Sequence, residues 1–339
     1  MMNDMKSVIF SLVLALTLAS CSTEVDLEAE WEDIPVVYAF LSLQDTAHYV
    51  RVQKVFLEPD GNALQIARNT DSIYYQNAAV EMTNLRTGET LLMERVNGAE
   101  EGYPKEEGLF ANDPNVLYKV KADEISLQGG DSVQLAINRG EFTEPAFATT
   151  RILGKIDTSA SPSPSQRIGR LRYTTNLTVT WIPSEEAELF DITFVIRYRE
   201  SADPDTPSEF IEKSLEWPIA KGITRRNPDR GRESFMIRGE AFYEFLSLSI
   251  PPSDGEIRLL DGIDIRITAG GVEMLELVEL SQANIGITSA QSIPVYSNVE
   301  GGLGIFTSRY QLERTGIQLT QEALDSLQDG IYTRDLNFK

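Results

Sequence analysis

The sequence predicts a mainly β protein made of two immunoglobulin- or fibronectin III-like sandwich domains with a few short helices. Three observations predict it. From Pro35 onward, short runs rich in β-branched and aromatic residues recur between Gly, Pro, Asn and Asp turns. Several of these runs alternate with a period of two, which gives a strand one buried and one wet face. No repeat of fixed period is present, which argues against solenoids and propellers. With 339 residues, 42% of them hydrophobic, the chain is long enough for about two domains with cores of their own.

Residues 35–155 form the first predicted domain. Val36 to Leu41 is an apolar run suited to a buried strand, and His48 to Val55 alternates, with Gln44-Asp45-Thr46 as the turn between them. Pro59-Asp60-Gly61-Asn62 reads as a turn because Pro presets φ while Gly and Asn tolerate positive φ, and Ala63 to Arg68 reads as one helical turn. Asn77 to Thr83 and Thr90 to Arg95 flank Arg86-Thr87-Gly88-Glu89 as a β-hairpin. Leu117 to Val120 and Ser132 to Ile137 complete this sandwich. Residues 156–168, small, polar and interrupted by Pro, read as a linker. In the second domain, 169–339, Asn176 to Trp181 and Phe190 to Tyr198 alternate, and the Trp followed by a Tyr-bearing strand resembles a fibronectin type III sandwich. Glu240 to Leu248 has helical spacing and stops at Pro251-Pro252. Ile263 to Thr268 returns to strand period, and Thr320 caps a short amphipathic segment ending at Leu327. Gly301-Gly302-Leu303-Gly304 lacks the Lys-Ser/Thr and the strand-to-helix context of a phosphate loop. It reads instead as a tight turn before a strand at Ile305-Phe306.

The N-terminus carries an address. Lys6 precedes an almost wholly apolar run, Val8 to Ala19, which is too short to span a bilayer and reads as a signal peptide over residues 1–20. Leu18-Ala19-Ser20-Cys21 resembles a bacterial lipobox, with a branched apolar residue and two small residues before the cysteine that takes the lipid. Cys21 is the sole cysteine, so the mature chain would hold no free thiol. Residues 21–34 contain Glu24, Asp26, Glu28, Glu30, Glu32 and Asp33 and no basic residue. They read equally as a self-repelling solvated tether and as resembling the acidic export signals of Bacteroidota surface lipoproteins. The expected address is the outer membrane, on its periplasmic face or at the cell surface.

Composition removes several chemistries. A net charge of −22 repels phosphate backbones, so no nucleic acid is expected as a partner. One His and one Cys allow no multi-histidine or paired-cysteine metal site, and no cofactor motif is present. His48 is the only imidazole for a nucleophilic triad and reads as structural. Asp203-Pro204-Asp205 and Asp261 with Asp264 offer oxygens to calcium but fit no known loop spacing. Lys221, Arg225, Arg226, Arg230 and Arg232 form a basic island in an acidic chain. It is a candidate contact for phosphate or an acidic partner, or else a charged loop without a ligand. Asp45-Thr46-Ala47, Asp71-Ser72-Ile73, Asp131-Ser132-Val133 and Asp325-Ser326-Leu327 resemble an Asp-Ser/Thr-apolar O-glycosylation acceptor, with Thr46, Ser72, Ser132 and Ser326 as the modified residues.

Longer segments carry a family resemblance. Val36 to Ala39, Tyr49 to Leu57, Asp71 to Tyr75, Thr268 to Gly271 and Pro294 to Phe306 together resemble uncharacterised Bacteroidota outer-membrane lipoproteins grouped as a domain of unknown function. Many members are similar to products encoded beside TonB-dependent receptors, and the resemblance therefore implies an accessory role at the envelope. It implies no catalytic residue. The expected function is a non-catalytic lipoprotein that is membrane-bound through its lipid anchor and binds a partner such as an outer-membrane β-barrel. An independent glycan- or peptide-binding lipoprotein, using aromatics such as Trp217 or Tyr243, is the alternative reading. A carboxylate-based hydrolase stands third.

Overall fold

In a computed structural model, residues 33–55, 67–106, 108, 111, 113–141, 143–157, 162, 166–201, 209–226, 231–283 and 295–339 are described. The predicted signal peptide, Cys21, most of the tether, the turn at Pro59 to Asn62 and Arg230 lie outside them.

The alternating runs of the first half form β1 (Pro35–Leu41), β2 (Ala47–Lys54), β3 (Ala79–Asn84), β4 (Glu89–Leu92), β5 (Glu94–Asn97), β6 (Val116–Lys121), β7 (Ser132–Asn138) and β8 (Ala146–Arg151), with one short helix, α1 (Thr70–Ile73). The single strand expected over Thr90 to Arg95 is two strands. Met93 is buried and its N–H donates to Val80 O at 2.8 Å. There the chain crosses from one sheet, where β4 pairs with β3, to another, where β5 pairs with β6. The second half adds β9 (Asn176–Trp181), β10 (Leu189–Ser201), β11 (Ile211–Thr224), β12 (Glu233–Arg238), α2 (Gly239–Ser249), β13 (Ile257–Gly270), α3 (Val272–Ala283), β14 (Val299–Glu300), β15 (Leu303–Ile317) and α4 (Gln321–Asp329). Thr320 occupies the N-cap position of α4 but makes no side-chain capping bond.

The fold is mainly β, with few helices. One sheet of eight strands runs in the order β11-β10-β13-β15-β1-β2-β6-β5, a second of five runs β14-β8-β7-β3-β4, and β12 pairs with β9 alone. Two clusters of buried side chains result. In the first, Val37, Ala39, Leu41, Val50, Val52 and Val120 face Val80, Met82, Val133, Leu135 and Ile137 across the two larger sheets. The second gathers Trp181, Phe190, Phe194, Ile265, Phe242, Leu246 and Leu327. The clusters are not divided cleanly along the chain, because Val299 and Phe306 return to the first. Each such fully buried apolar side chain contributes roughly 1.5–3 kcal/mol.

β15 joins the two parts of the large sheet. Its first half pairs parallel with β1, from Val36↔Leu303 to Leu41↔Ser308, and its second half pairs antiparallel with β13, from Gly270↔Arg309 to Ile263↔Ile317. Gly304 makes the parallel approach tenable: its φ is +112°, and a Cβ there would collide with the Val37 carbonyl oxygen. Two side-chain amides continue the ladder on β15. Gln44 accepts from Gln311 N at 2.8 Å and donates to Gln311 O at 2.9 Å. Asn298 accepts from Phe306 N at 2.9 Å and donates to Phe306 O at 2.7 Å.

The C-terminal residues are tied to β13. Arg258 N donates to Asn337 O at 3.2 Å and Lys339 N to Arg258 O at 2.9 Å. The Arg258 side chain is buried, donating through Nη1 to Leu336 O at 2.7 Å and through Nε to Glu200 Oε2 at 2.8 Å.

Candidate functional site

Alternation along β1 sends Val37, Ala39 and Leu41 into the first core and leaves Tyr38 (46% exposed) and Phe40 (42%) on the opposite face. On β2, Tyr49 and Arg51 share that face, with Arg51 directly across from Tyr38. One side of this floor carries the turn after β5. There Tyr103, 53% exposed, meets Tyr49 edge-on at 5.0 Å, while Glu101 accepts from Tyr49 Oη at 2.9 Å and from Lys119 Nζ at 2.5 Å. α3 lies over β15 on the other side, with Thr307 Oγ1 donating to the buried Glu273 Oε2 at 2.9 Å. At the end of β1, two residues past Phe40, a cavity of about 160 Å³ is lined by Ser42, Gln44, Asp45, Arg309 and Gln311. Arg309 and Asp45 approach no closer than 3.7 Å. The cavity walls therefore offer both hydrogen-bond donors and acceptors beside exposed aromatic surface.

Sequence reading missed Tyr38, Phe40 and Arg309 as site residues. The available signal was aromatic placement: within a run read as wholly buried, both rings fall on the alternate positions to Val37, Ala39 and Leu41. Of the two aromatics named for sugar stacking, Tyr243 is fully buried and donates to Leu171 O and Ala323 O. Trp217 lies against the second core, stacked on Phe245 at 5.3 Å.

The basic island is uneven. Arg225 is an internal clamp, its Nη1 donating to Glu185 O at 2.7 Å, Ser184 O at 3.3 Å and Ala187 O at 3.4 Å. Lys221, Arg226 and Arg232 are exposed, and Arg226 N donates to the buried Glu233 at 3.2 Å. Among the acceptor-like motifs, Thr46 is exposed in the β1–β2 turn beside the cavity. Ser72 sits in α1, Ser132 opens β7 and Ser326 lies in α4, all half-buried. Asp261 and Asp264 each face an arginine, Arg199 at 2.8 Å and Arg197 at 2.5 Å.

Where the predicted tether meets the fold, Asp33 is held by Tyr75 Oη at 2.6 Å and by the buried Arg139 at 3.2 Å. Burial, with Asp33 as its acceptor, pushes the Tyr75 hydroxyl pKa well up.

His48 is 3% exposed, and its Nδ1 has no hydrogen-bond partner among the described residues. Desolvation pushes its pKa below the ordinary 6.5, against a smaller upward pull from Asp45. The unfolded chain therefore binds a proton as pH falls below 6.5 that the folded chain refuses. The stability from a neutral His48 is complete above that value and declines below it. His48→Gln is expected to flatten the loss of unfolding free energy between about pH 7 and about pH 5, read by urea denaturation. Equal slopes for the two proteins would refute this.

Among the described residues, the carboxylates with shifted pKa values are all lowered. Glu101 is lowered chiefly by its hydrogen bond from Lys119, and Asp131 by its bond from Arg86. Glu200 is lowered because hydrogen bonds from Lys213 and Arg258 outweigh its own desolvation, and Glu256 by backbone hydrogen bonds.

Residues 22–315 match the family described as a domain of unknown function (DUF4249). The chain belongs to that family. The DUF4249 span takes in β1, the cavity residues Ser42, Gln44 and Asp45, and Arg309 and Gln311 of β15. A comparison with curated proteins finds no match. Among solved structures, the C-terminal globular domain of an oligosaccharyltransferase from Pyrococcus abyssi is similar at 8% identity, covering 85% of this chain and 50% of that one, with a TM-score of 0.24. The DUF4249 chain thus spans half the length of that solved chain, and so low a score says nothing of shared fold or activity.

Proposed function

We propose that this protein is a non-catalytic lipoprotein, anchored in an outer membrane of a Bacteroidota cell through Cys21, that binds a partner subunit of a TonB-dependent transport system. The carrying observation is the outward face of β1 and β2, where Tyr38, Phe40 and Tyr103 present aromatic surface that the packing of the described residues leaves exposed. Exposed aromatic patches of this kind mark interaction sites. The lipobox-like segment supports the anchor, and the hold on Asp33 supports a tether that ends there. The two buried clusters support reading the body as two immunoglobulin-like sandwich units joined by β15.

The test is affinity purification of the full-length protein from its host's membranes in mild detergent, followed by mass spectrometry. A stoichiometric outer-membrane β-barrel is expected, lost when Tyr38 and Phe40 are both changed to serine. Cys21→Ser is expected to release the protein from the membrane fraction. Recovery without a barrel, or membrane attachment unchanged in the Cys21→Ser variant, overturns the corresponding half of the reading.

A further inference from the structure

We propose that the cavity at the end of β1 and the ring-lined floor leading to it form one binding site for an uncharged saccharide. The site would take a sugar end in the cavity and stack the adjoining units on Phe40 and Tyr38. This goes beyond partner binding and draws on the same rings, Tyr38 and Phe40, so a partner seated on them and a saccharide would exclude each other.

The chemistry of a sugar matches the lining of the site. A sugar ring has an apolar face of C–H groups and a rim of hydroxyls, each of which donates and accepts a hydrogen bond. Tyr38 and Phe40 stand two residues apart on one face of one strand, a spacing of about 7 Å. Both rings are nearly half exposed, and Tyr49 and Tyr103 extend the aromatic surface beside them. The cavity supplies the complement to the rim. Asp45 accepts and Arg309 donates, and they stand 3.7 Å apart, too far to satisfy each other fully. Ser42 and the side chains of Gln44 and Gln311 complete the lining.

Charge separates this ligand from its competitors. An anionic group entering the cavity would meet the Asp45 carboxylate as well as Arg309. An apolar peptide side chain would desolvate both ions at a separation too long for a direct hydrogen bond between them. Vicinal hydroxyls bridge the two without a net charge. The space is also sufficient: about 160 Å³ admits several waters, and so the hydroxyl-bearing end of a sugar. The hydrogen bonds from Gln44 to the Gln311 backbone hold the cavity floor fixed before any ligand arrives, which limits the ordering cost of binding.

The experiment is calorimetric titration of the full chain with uncharged hexasaccharides of glucose, mannose and xylose, and with polygalacturonate as a charged comparison. At least one uncharged hexasaccharide is expected to bind with a Kd below about 1 mM. Phe40→Ala and Arg309→Gln are each expected to weaken that binding about tenfold or more, a loss of about 1.4 kcal/mol. Phe40→Trp, which retains a stacking ring, is expected to keep it. All three changes fall on exposed or half-exposed positions, and an unchanged melting curve identifies a folded variant. The proposal is overturned if no uncharged hexasaccharide binds, if only polygalacturonate binds, or if Phe40→Ala binds as the parent does. The titration uses the isolated chain, so it decides the saccharide reading by itself, while barrel capture decides the transport reading.

Discussion

Gly304→Ala is expected to lower the unfolding free energy by about 3 kcal/mol or more, combining the cost of a side chain at strongly positive φ with the displacement of a packed strand. The added methyl would occupy the place of the Val37 carbonyl oxygen. Relief requires β1 to move away from β15, breaking the ladder from Val36↔Leu303 to Leu41↔Ser308. Val37, Ala39, Leu41 and Phe306 would lose their fit in the first core together. Gly316→Ala supplies the comparison, because its φ is +67° yet nothing lies within 4 Å of an added Cβ. It should cost only about 1 kcal/mol of backbone strain. Urea denaturation followed by circular dichroism decides the matter: equal midpoints for the two variants would contradict the close parallel pairing.

Arg258→Met is expected to cost about 3 kcal/mol or more, because removing one member of a buried ion pair strands the other. Arg258 is buried and holds Glu200 and the Leu336 carbonyl at once. Lys213, 2.5 Å from Glu200, remains as a partner and keeps the loss near the low end of that range. The variant Arg258→Met with Glu200→Gln should recover part of the stability, since no carboxylate is then left short of its partner. The loss should also be local. With the Leu336 carbonyl released, residues 337–339 should become sensitive to carboxypeptidase while the first core keeps its protection against hydrogen exchange. Full carboxypeptidase resistance in Arg258→Met would show that the backbone pairing to Arg258 alone holds the C-terminus.

Strands whose burial alternates were legible in the sequence. Asn176 to Trp181 was read to the residue, and β1, β2 and β7 to within a residue or so at each end. α2 was legible from the spacing of Phe242, Phe245 and Leu248 and from its Pro stop. β11 was not expected because Glu212, Lys213, Glu216 and Lys221 populate a sheet edge, where charge suits an exposed strand and hides its pattern. α3 escaped because its apolar residues run around the helix instead of forming one stripe. The site was harder still. Phe40 and Arg309 come onto neighbouring strands only because β15 comes back to β1, where Phe40 pairs with Thr307, two residues before Arg309, and no local pattern encodes a pairing across so much chain. Arg225 shows the converse difficulty: its charge placed it in a surface island, while its partners are the carbonyls of Ser184, Glu185 and Ala187.

The return of β15 to β1 also sets the order of events when the chain is made. Gln44 and its partner Gln311 are 267 positions apart. One edge of β1 therefore has nothing to pair with until almost the entire polypeptide has emerged, and Phe306 is missing from the first core for as long. Closing so long a loop before its contacts form is slow. A chain delayed in this way stays open through most of its synthesis. The same delay leaves the β1 edge ready to pair with another copy, so a chaperone that shields residues 35–41 should raise the yield of folded protein more than one acting on the C-terminal strands.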